Sequence, residues 1–244
     1  MGGIRSALHH RSQHHIFVDR TEAGKLLAAR LESYASRSDV LVLALPRGGV
    51  PVAFEVSRAL KAPLDVFVIR KLGMPGQEEL AMGAIASGGV RVLNYDVVQT
   101  FGISSQMIEA VASREAEELV RRERLYRGNK PAPEISGRIV ILVDDGLATG
   151  SSMRAAIAAL RKQNPAKIVV GVPVAAPSTC DEFRSEVDEI ICAVTPEPFH
   201  AVGIWYEDFS QTTDQEIHDL LERAAREHTS NVSRPAGETA GRTS

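Results

Sequence analysis

Two carboxylates, Asp144 and Asp145, stand directly before Gly146-Leu147-Ala148-Thr149-Gly150-Ser151-Ser152, a run of small and hydroxyl residues. Glycines let backbone N–H groups close on an anion, and hydroxyls add donors. A helix start behind them contributes the positive end of its dipole. Such a turn is built to hold a phosphate. A phosphate alone calls for no acids. Two of them beside the cradle suit a ligand that also offers hydroxyls or carries a hydrated cation, as a ribose 5-phosphate does. A Walker A loop would need a Lys before its last hydroxyl residue, and none is present. The spacing of Gly146 and Gly150 does not fit a dinucleotide fingerprint. The plain alternative is a strand-to-helix turn with Asp caps.

A second cluster has the same layout. Val40–Leu45 reads as a buried strand and runs into Pro46-Arg47-Gly48-Gly49 before the apolar helical stretch Val50–Leu60. Gly48 and Gly49 allow close backbone approach to a ligand, and Arg47 offers a forked cation for oxyanions. A third strand, Asp65–Ile69, ends in Arg70 and Lys71, two further candidates for an oxyanion.

The elements that must position these residues alternate. Val140–Val143 is the strand before the acids, and Arg154–Lys162 has a helical pattern behind the turn. Asp19 with Glu22 fits an N-cap opening a helix to about Ser36. A long amphipathic helix follows Ser104, with Ile108, Val111, Ala112, Ala116, Leu119, Val120 and Tyr126 on its apolar side. Its charged side reads as a solvated face or an oligomer contact. Strands at Lys167–Val172 and Glu189–Val194 complete a β/α alternation, which predicts an α/β fold with a mainly parallel sheet. Leu72–Leu80 carries two glycines and a proline without clear periodicity, and 81–93 can form a short hairpin.

The strand, acid pair and Thr-Gly-containing turn resemble the signature of type I phosphoribosyltransferases. The resemblance covers roughly residues 16–222. It implies a core of about five strands with helices on both faces, a small hood at about 195–210 and a mobile lid at about 71–89. It assigns the ribose hydroxyls to Asp144 and Asp145, and the 5-phosphate of phosphoribosyl diphosphate to Gly146–Ser152. It assigns the diphosphate to Arg47, Gly48 and Gly49, with a non-proline cis peptide next to Arg47. Arg70 and Lys71 would meet the diphosphate from the base of the lid. Mg²⁺, held mostly through substrate phosphates, would be the cofactor, and ribose 5-phosphate would pass to a nucleobase or another nitrogen acceptor with loss of diphosphate. In the hood, Phe199, Trp205 and Tyr206 either stack on a base or pack the second layer, and Glu207 or Asp208 would reach a second Mg²⁺. Two departures speak against a 6-oxopurine acceptor. Ala148 stands where the purine branch has a relay acid, and Gly171-Val-Pro-Val-Ala175 lacks that branch's Lys. The fuller pattern looks most like a bacterial group of phosphoribosyltransferases for which the resemblance gives no acceptor. The alternatives are a sensor that binds phosphoribosyl diphosphate with little turnover, and a hydrolase that gives the sugar to water.

The remaining expectations come from composition. The chain has 244 residues and a net charge of −3, enough for one domain with a sizeable core and unsuited to nonspecific nucleic-acid binding. No apolar run approaches the roughly 18 residues of a membrane span. Cys180 and Cys192 lack metal-ligand spacing and read as thiols in a reduced cytoplasm. Residues 1–15, with His9, His10, His14 and His15, read as a disordered leader, 16–228 as one domain, and 229–244 as a disordered tail.

Overall fold

The computed structural model describes residues 16–232, with side chains through 230. The leader expected over 1–15 lies outside the described residues. Apolar β-branched runs form the strands of a five-stranded parallel sheet: β1 (Val40–Ala44), β2 (Leu64–Val66), β6 (Ile139–Val143), β7 (Lys167–Val174) and β8 (Glu189–Val194). Its order is β2-β1-β6-β7-β8. Helices α1 (Arg20–Arg30), α2 (Gly49–Leu60), α4 (Ser105–Arg127), α5 (Ser151–Arg161), α6 (Pro177–Phe183) and α7 (Asp214–Val232) cover it. Every residue of β1 and β6 is buried. Their alternate residues feed two cores: Val40, Val42, Ile141 and Val143 pack on one face, and Leu41, Leu43, Val140 and Leu142 on the other. A strand buried on both faces belongs at the centre of a parallel sheet, and that explains these continuous apolar runs.

The chain leaves β1 toward β2 and later returns to β1's other side as β6, so the sheet changes direction between them. In register Ala44 stands opposite Val143. Both loops singled out from the sequence therefore emerge side by side at the carboxyl ends of adjacent strands, where ligands bind in open α/β sheets.

Several expectations change. The third strand is shorter than Asp65–Ile69: β2 stops at Val66, and Ile69 already begins a second sheet. That sheet is antiparallel and three-stranded, β3 (Ile69–Met74), β4 (Gln77–Ala86) and β5 (Val90–Leu93), followed by a short α3 (Tyr95–Thr100). The stretch expected as a loop lid is thus mostly paired strand, and β3–β4 pairing shifts register at Gly73. Glycine and proline sit at the bulge and turn of this hairpin, and that masked its period. Cys180 and Cys192 are not free thiols but a disulfide joining α6 to β8; the sheet brings together two elements whose spacing carries no such signal. Finally, α7 runs to Val232, so the boundary expected at 228 falls inside a helix.

The sheet edge is tied to α4 by charge. Arg127 donates to both Asp65 carboxylate oxygens, at 2.8 and 3.0 Å, and to the Val66 carbonyl at 3.0 Å, with both side chains less than 15 % exposed. Burial raises the Asp65 carboxyl, and Arg127 opposes this. Removing one partner strands the other charge. Arg127→Met, which strands both Asp65 and Glu123, the latter 3.1 Å from Arg127 Nη1, should cost about 3–5 kcal/mol in urea unfolding, and adding Asp65→Leu should recover part of it. A double variant no more stable than the single one would show that the two are uncoupled.

Candidate active site

Asp144 and Asp145 end β6 beneath the β1 loop. The backbone of the turn from β1 into α2 lies close against them. A Cβ at Gly48 would come within 2.0 Å of Asp145 Oδ2, and one at Gly49 within 2.7 Å of the Val143 carbonyl and 3.2 Å of Asp144 Oδ1. The glycines are therefore required by the acids themselves. The Pro46–Arg47 peptide is cis, as the resemblance implied. The two carboxyls differ in company. Asp145 accepts from Arg20 Nε at 2.8 Å, and its backbone carbonyl accepts from the Tyr206 hydroxyl at 2.5 Å. Among the described residues, Asp144 accepts only from the Asp145 N–H, at 2.9 Å. Burial, and next the neighbouring Asp145 carboxylate, push the Asp144 carboxyl well above the usual range. Burial raises Asp145 too, but Arg20 pulls against it. Of the two, Asp144 is therefore pushed further above the usual range than Asp145.

Behind the acids the chain turns into α5 through Gly150, whose φ is 73°, and Ser151 opens the helix. Within 146–152 the roles divide. Leu147 is an anchor: its side chain is buried, and its N–H is spent on the Val174 carbonyl at 2.9 Å. Gly146 makes room for hood residue Val202, whose Cγ1 would be 2.4 Å from a Cβ there. Ser151 and Ser152 face a cavity of about 390 Å³. Asp144, Leu45, Pro46, Arg70, Lys71 and Ala155 also line that cavity, together with Phe67, Ile69, Ala81, Gly83 and Ala84 at the root of the small sheet. Acid, hydroxyls, bases and apolar wall therefore converge.

The expected diphosphate contacts are less uniform. Arg70 lines the cavity but gives two hydrogen bonds to Glu115 of α4, at 2.9 and 2.7 Å. Lys71, half-exposed, donates to the Glu79 carbonyl at 2.6 Å. Arg47 is absent from the lining and stands 3.7 Å from Asp214 at the start of α7, both partners about 40 % exposed.

The hood corrects the stacking expectation. Tyr206 is 1 % exposed and Trp205 9 %, so neither presents a face to a base. They form a small core with Phe17, Ala23 and Val174, and Phe199 stacks on Trp205 with ring centroids 6.1 Å apart. Burial also holds the Tyr206 phenol protonated. Glu207 and Asp208 are exposed, and their N–H groups tie the hood to Phe17 and Val18. Among the described residues no group of three or more His, Cys, Asp or Glu could hold a metal. Arg20 is the residue that sequence reading missed. It reaches Asp145, the Ser210 carbonyl at 2.7 Å and the Phe209 ring at 4.0 Å, linking the acid pair to the hood. Its sequence position, the first residue of α1, carries no sign of this.

The family described as "Phosphoribosyl transferase domain" matches residues 18–203. The chain belongs to this family. Two Mycobacterium tuberculosis proteins, each named "Putative phosphoribosyl transferase" (MT0597 in strain CDC 1551 / Oshkosh and Rv0571c in strain ATCC 25618 / H37Rv), are 45 % identical to it over 212 residues, 87 % of this chain. The chain spans about half, 48 %, of the length of these relatives. Among solved structures, the protein TT1426 from Thermus thermophilus is 40 % identical with a TM-score of 0.74, covering 85 % of this chain and 98 % of that one. The α/β architecture of a phosphoribosyltransferase domain is thereby shared.

The acid pair has a measurable consequence. A carboxyl raised in the fold keeps its proton after the unfolded chain has released one, so stability falls as pH rises from the ordinary carboxylate range through the folded pKa. Asp144→Asn removes that fall. The variant's Tm gain over the parent should therefore be larger at about pH 8 than at about pH 5, by on the order of 2–4 °C for each kcal/mol. Equal gains at the two pH values would contradict a raised Asp144 carboxyl.

Proposed function

We propose that the chain is a Mg²⁺-dependent phosphoribosyltransferase that moves ribose 5-phosphate from phosphoribosyl diphosphate to a nucleobase or related nitrogen acceptor, releasing diphosphate. The convergence of the acid end of β6, the turn into α5 and the basic root of the small sheet on one cavity carries this reading. The C1–oxygen bond to diphosphate breaks, the C1–nitrogen bond forms, and the acceptor nitrogen loses its proton. Positive charge grows on the ribose and negative charge on the leaving group, so positioning and electrostatics suffice without a covalent nucleophile. Ser151, Ser152 and the turn's N–H groups would hold the 5-phosphate. Asp144 and Asp145 would take the ribose hydroxyls, with Arg20 favouring the charge on Asp145. Lys71 and Arg70 would meet the diphosphate from the cavity wall. Arg47, in its long contact with Asp214, is free enough to swing toward it.

The donor set fits Mg²⁺: one or two carboxylates beside a phosphate site, without a protein cage among the described residues. When bound it would neutralise the diphosphate oxygens. Glu207 and Asp208 stand as candidates for a second ion on the hood. The buried aromatics leave the apolar root of the small sheet as the wall available to an acceptor, while Ala148 and the missing Lys still argue against a 6-oxopurine. A cytoplasmic setting is part of the proposal, and the Cys180–Cys192 disulfide does not itself support it. The second reading, a sensor with little turnover, is favoured by Ala148 in the relay position and by Arg20 occupying Asp145.

Diphosphate release from phosphoribosyl diphosphate and Mg²⁺, scanned across purine, pyrimidine and pyridine acceptors with a no-acceptor control, separates these readings. Release tied to one acceptor supports the transferase. Binding without release supports the sensor, and release without acceptor a hydrolase. Asp144→Asn with Asp145→Asn should abolish ribose engagement while the fold persists; unchanged affinity would remove the acid assignment. Arg47→Ala should weaken diphosphate by about tenfold or more while sparing ribose 5-phosphate, and equal losses would contradict its placement at the leaving group.

A further inference from the structure

Three successive carbonyls of the phosphate turn are held by donors from outside it. The Leu147 oxygen accepts from the Ala176 N–H at 3.2 Å, the Ala148 oxygen from the Thr179 hydroxyl at 2.7 Å, and the Thr149 oxygen from Arg154 Nη1 at 2.7 Å. In a planar trans peptide, the carbonyl of one residue and the N–H of the next point in opposite directions. Tying down these oxygens turns the N–H groups of Ala148, Thr149 and Gly150 to the other side. Among the described residues, none of those three N–H groups has a protein acceptor. A row of such N–H groups is what binds an anion in a turn of this kind.

Arg154 looks like a free cation beside a phosphate site, but it is not. Its Nε gives two bonds to Glu186 at 2.9 and 3.0 Å, its Nη2 one to Glu182 at 2.7 Å, and its guanidinium lies 4.6 Å from the centre of the Phe183 ring. Two carboxylates offset its charge, and Nη1 is left to hold Thr149. The Phe183 ring also backs Gly150, where a Cβ would come within 2.5 Å of it. Thr179 and Phe183 both lie on α6, and Cys180 between them is bonded to Cys192 of β8. The turn is thus clamped from one side by a helix that itself is fastened to the sheet.

We infer that Thr179 and Arg154 are positioning residues for the 5-phosphate site, holding the turn's carbonyls away from the cleft so that its N–H groups meet the phosphate. This rests on the proposed reading of the turn. The test titrates the full chain and its Thr179→Val, Thr179→Ser and Arg154→Gln variants with ribose 5-phosphate and, separately, with diphosphate, following heat of binding and Tm. Thr179→Val and Arg154→Gln should bind ribose 5-phosphate about tenfold more weakly, the size of one lost hydrogen bond at a charged ligand. Thr179→Ser should restore parental affinity, and diphosphate affinity should not move in any variant. Parental affinity in both Thr179→Val and Arg154→Gln overturns the inference. So does a loss shared equally by diphosphate, which would mean general loosening. If Thr179→Val does not fold, Arg154→Gln and Thr179→Ser decide by the same readouts. A parent chain that binds diphosphate but not ribose 5-phosphate instead overturns the reading of the turn, and the clamp with it.

Discussion

The close approach of two backbones at the carboxyl ends of β1 and β6 is the constraint on which the rest of the site depends. Parallel pairing sets Ala44 opposite Val143, so the next residues of both strands must share one small space. Only glycine fits at 48 and 49, because Asp144 and Asp145 already occupy the room a side chain would need. The β1 loop and the acid pair are therefore one structural unit. Displacing either moves the other, and Pro46 of the loop and Asp144 of the pair line the same cavity.

Electrostatics then makes two adjacent acids unequal. Their burial makes two full charges costly; Arg20 offsets this at Asp145, while Asp144, without such a partner, is pushed further above the usual carboxylate range. Arg20 also bonds to the hood carbonyl of Ser210 and packs on Phe209, while Tyr206 donates to the Asp145 carbonyl. The hood thus braces the acids. Its aromatic cluster supplies the burial that holds this brace in place, which accounts for the concentration of rings in a chain with few of them.

On the opposite flank the turn after the acids is shaped by residues packed behind it. Leu147 is buried as an anchor, and its N–H and carbonyl are both committed to the neighbouring β7 end. Arg154 and Thr179 take the next two carbonyls. A turn with its oxygens engaged on one side has only N–H groups to offer on the other. The small antiparallel sheet closes the third side with apolar residues and the two bases Arg70 and Lys71, of which Arg70 is held by Glu115.

The β1 and β6 runs, the Asp19 helix cap, the long helix after Ser104, the parallel α/β class and the family itself are legible in the amino-acid sequence, because buried strands, the cap, helical periodicity and the acid-plus-turn motif are written in nearby residues. The candidate acids and hydroxyls could be picked out for the same reason, though of those in 144–152 it is Asp144, Ser151 and Ser152 that line the cavity. What tertiary structure decided is everything that depends on pairing between distant segments. Arg20 reaches Asp145 across 125 residues, Arg154 turns to Glu182 and Glu186 rather than to a phosphate, and Cys180 meets Cys192 across two elements. Trp205 and Tyr206 are aromatic in any reading, but burial alone assigns them to packing. Composition and spacing tell which groups a chain carries; which partner satisfies each one is set only when the sheet order brings them within bonding distance.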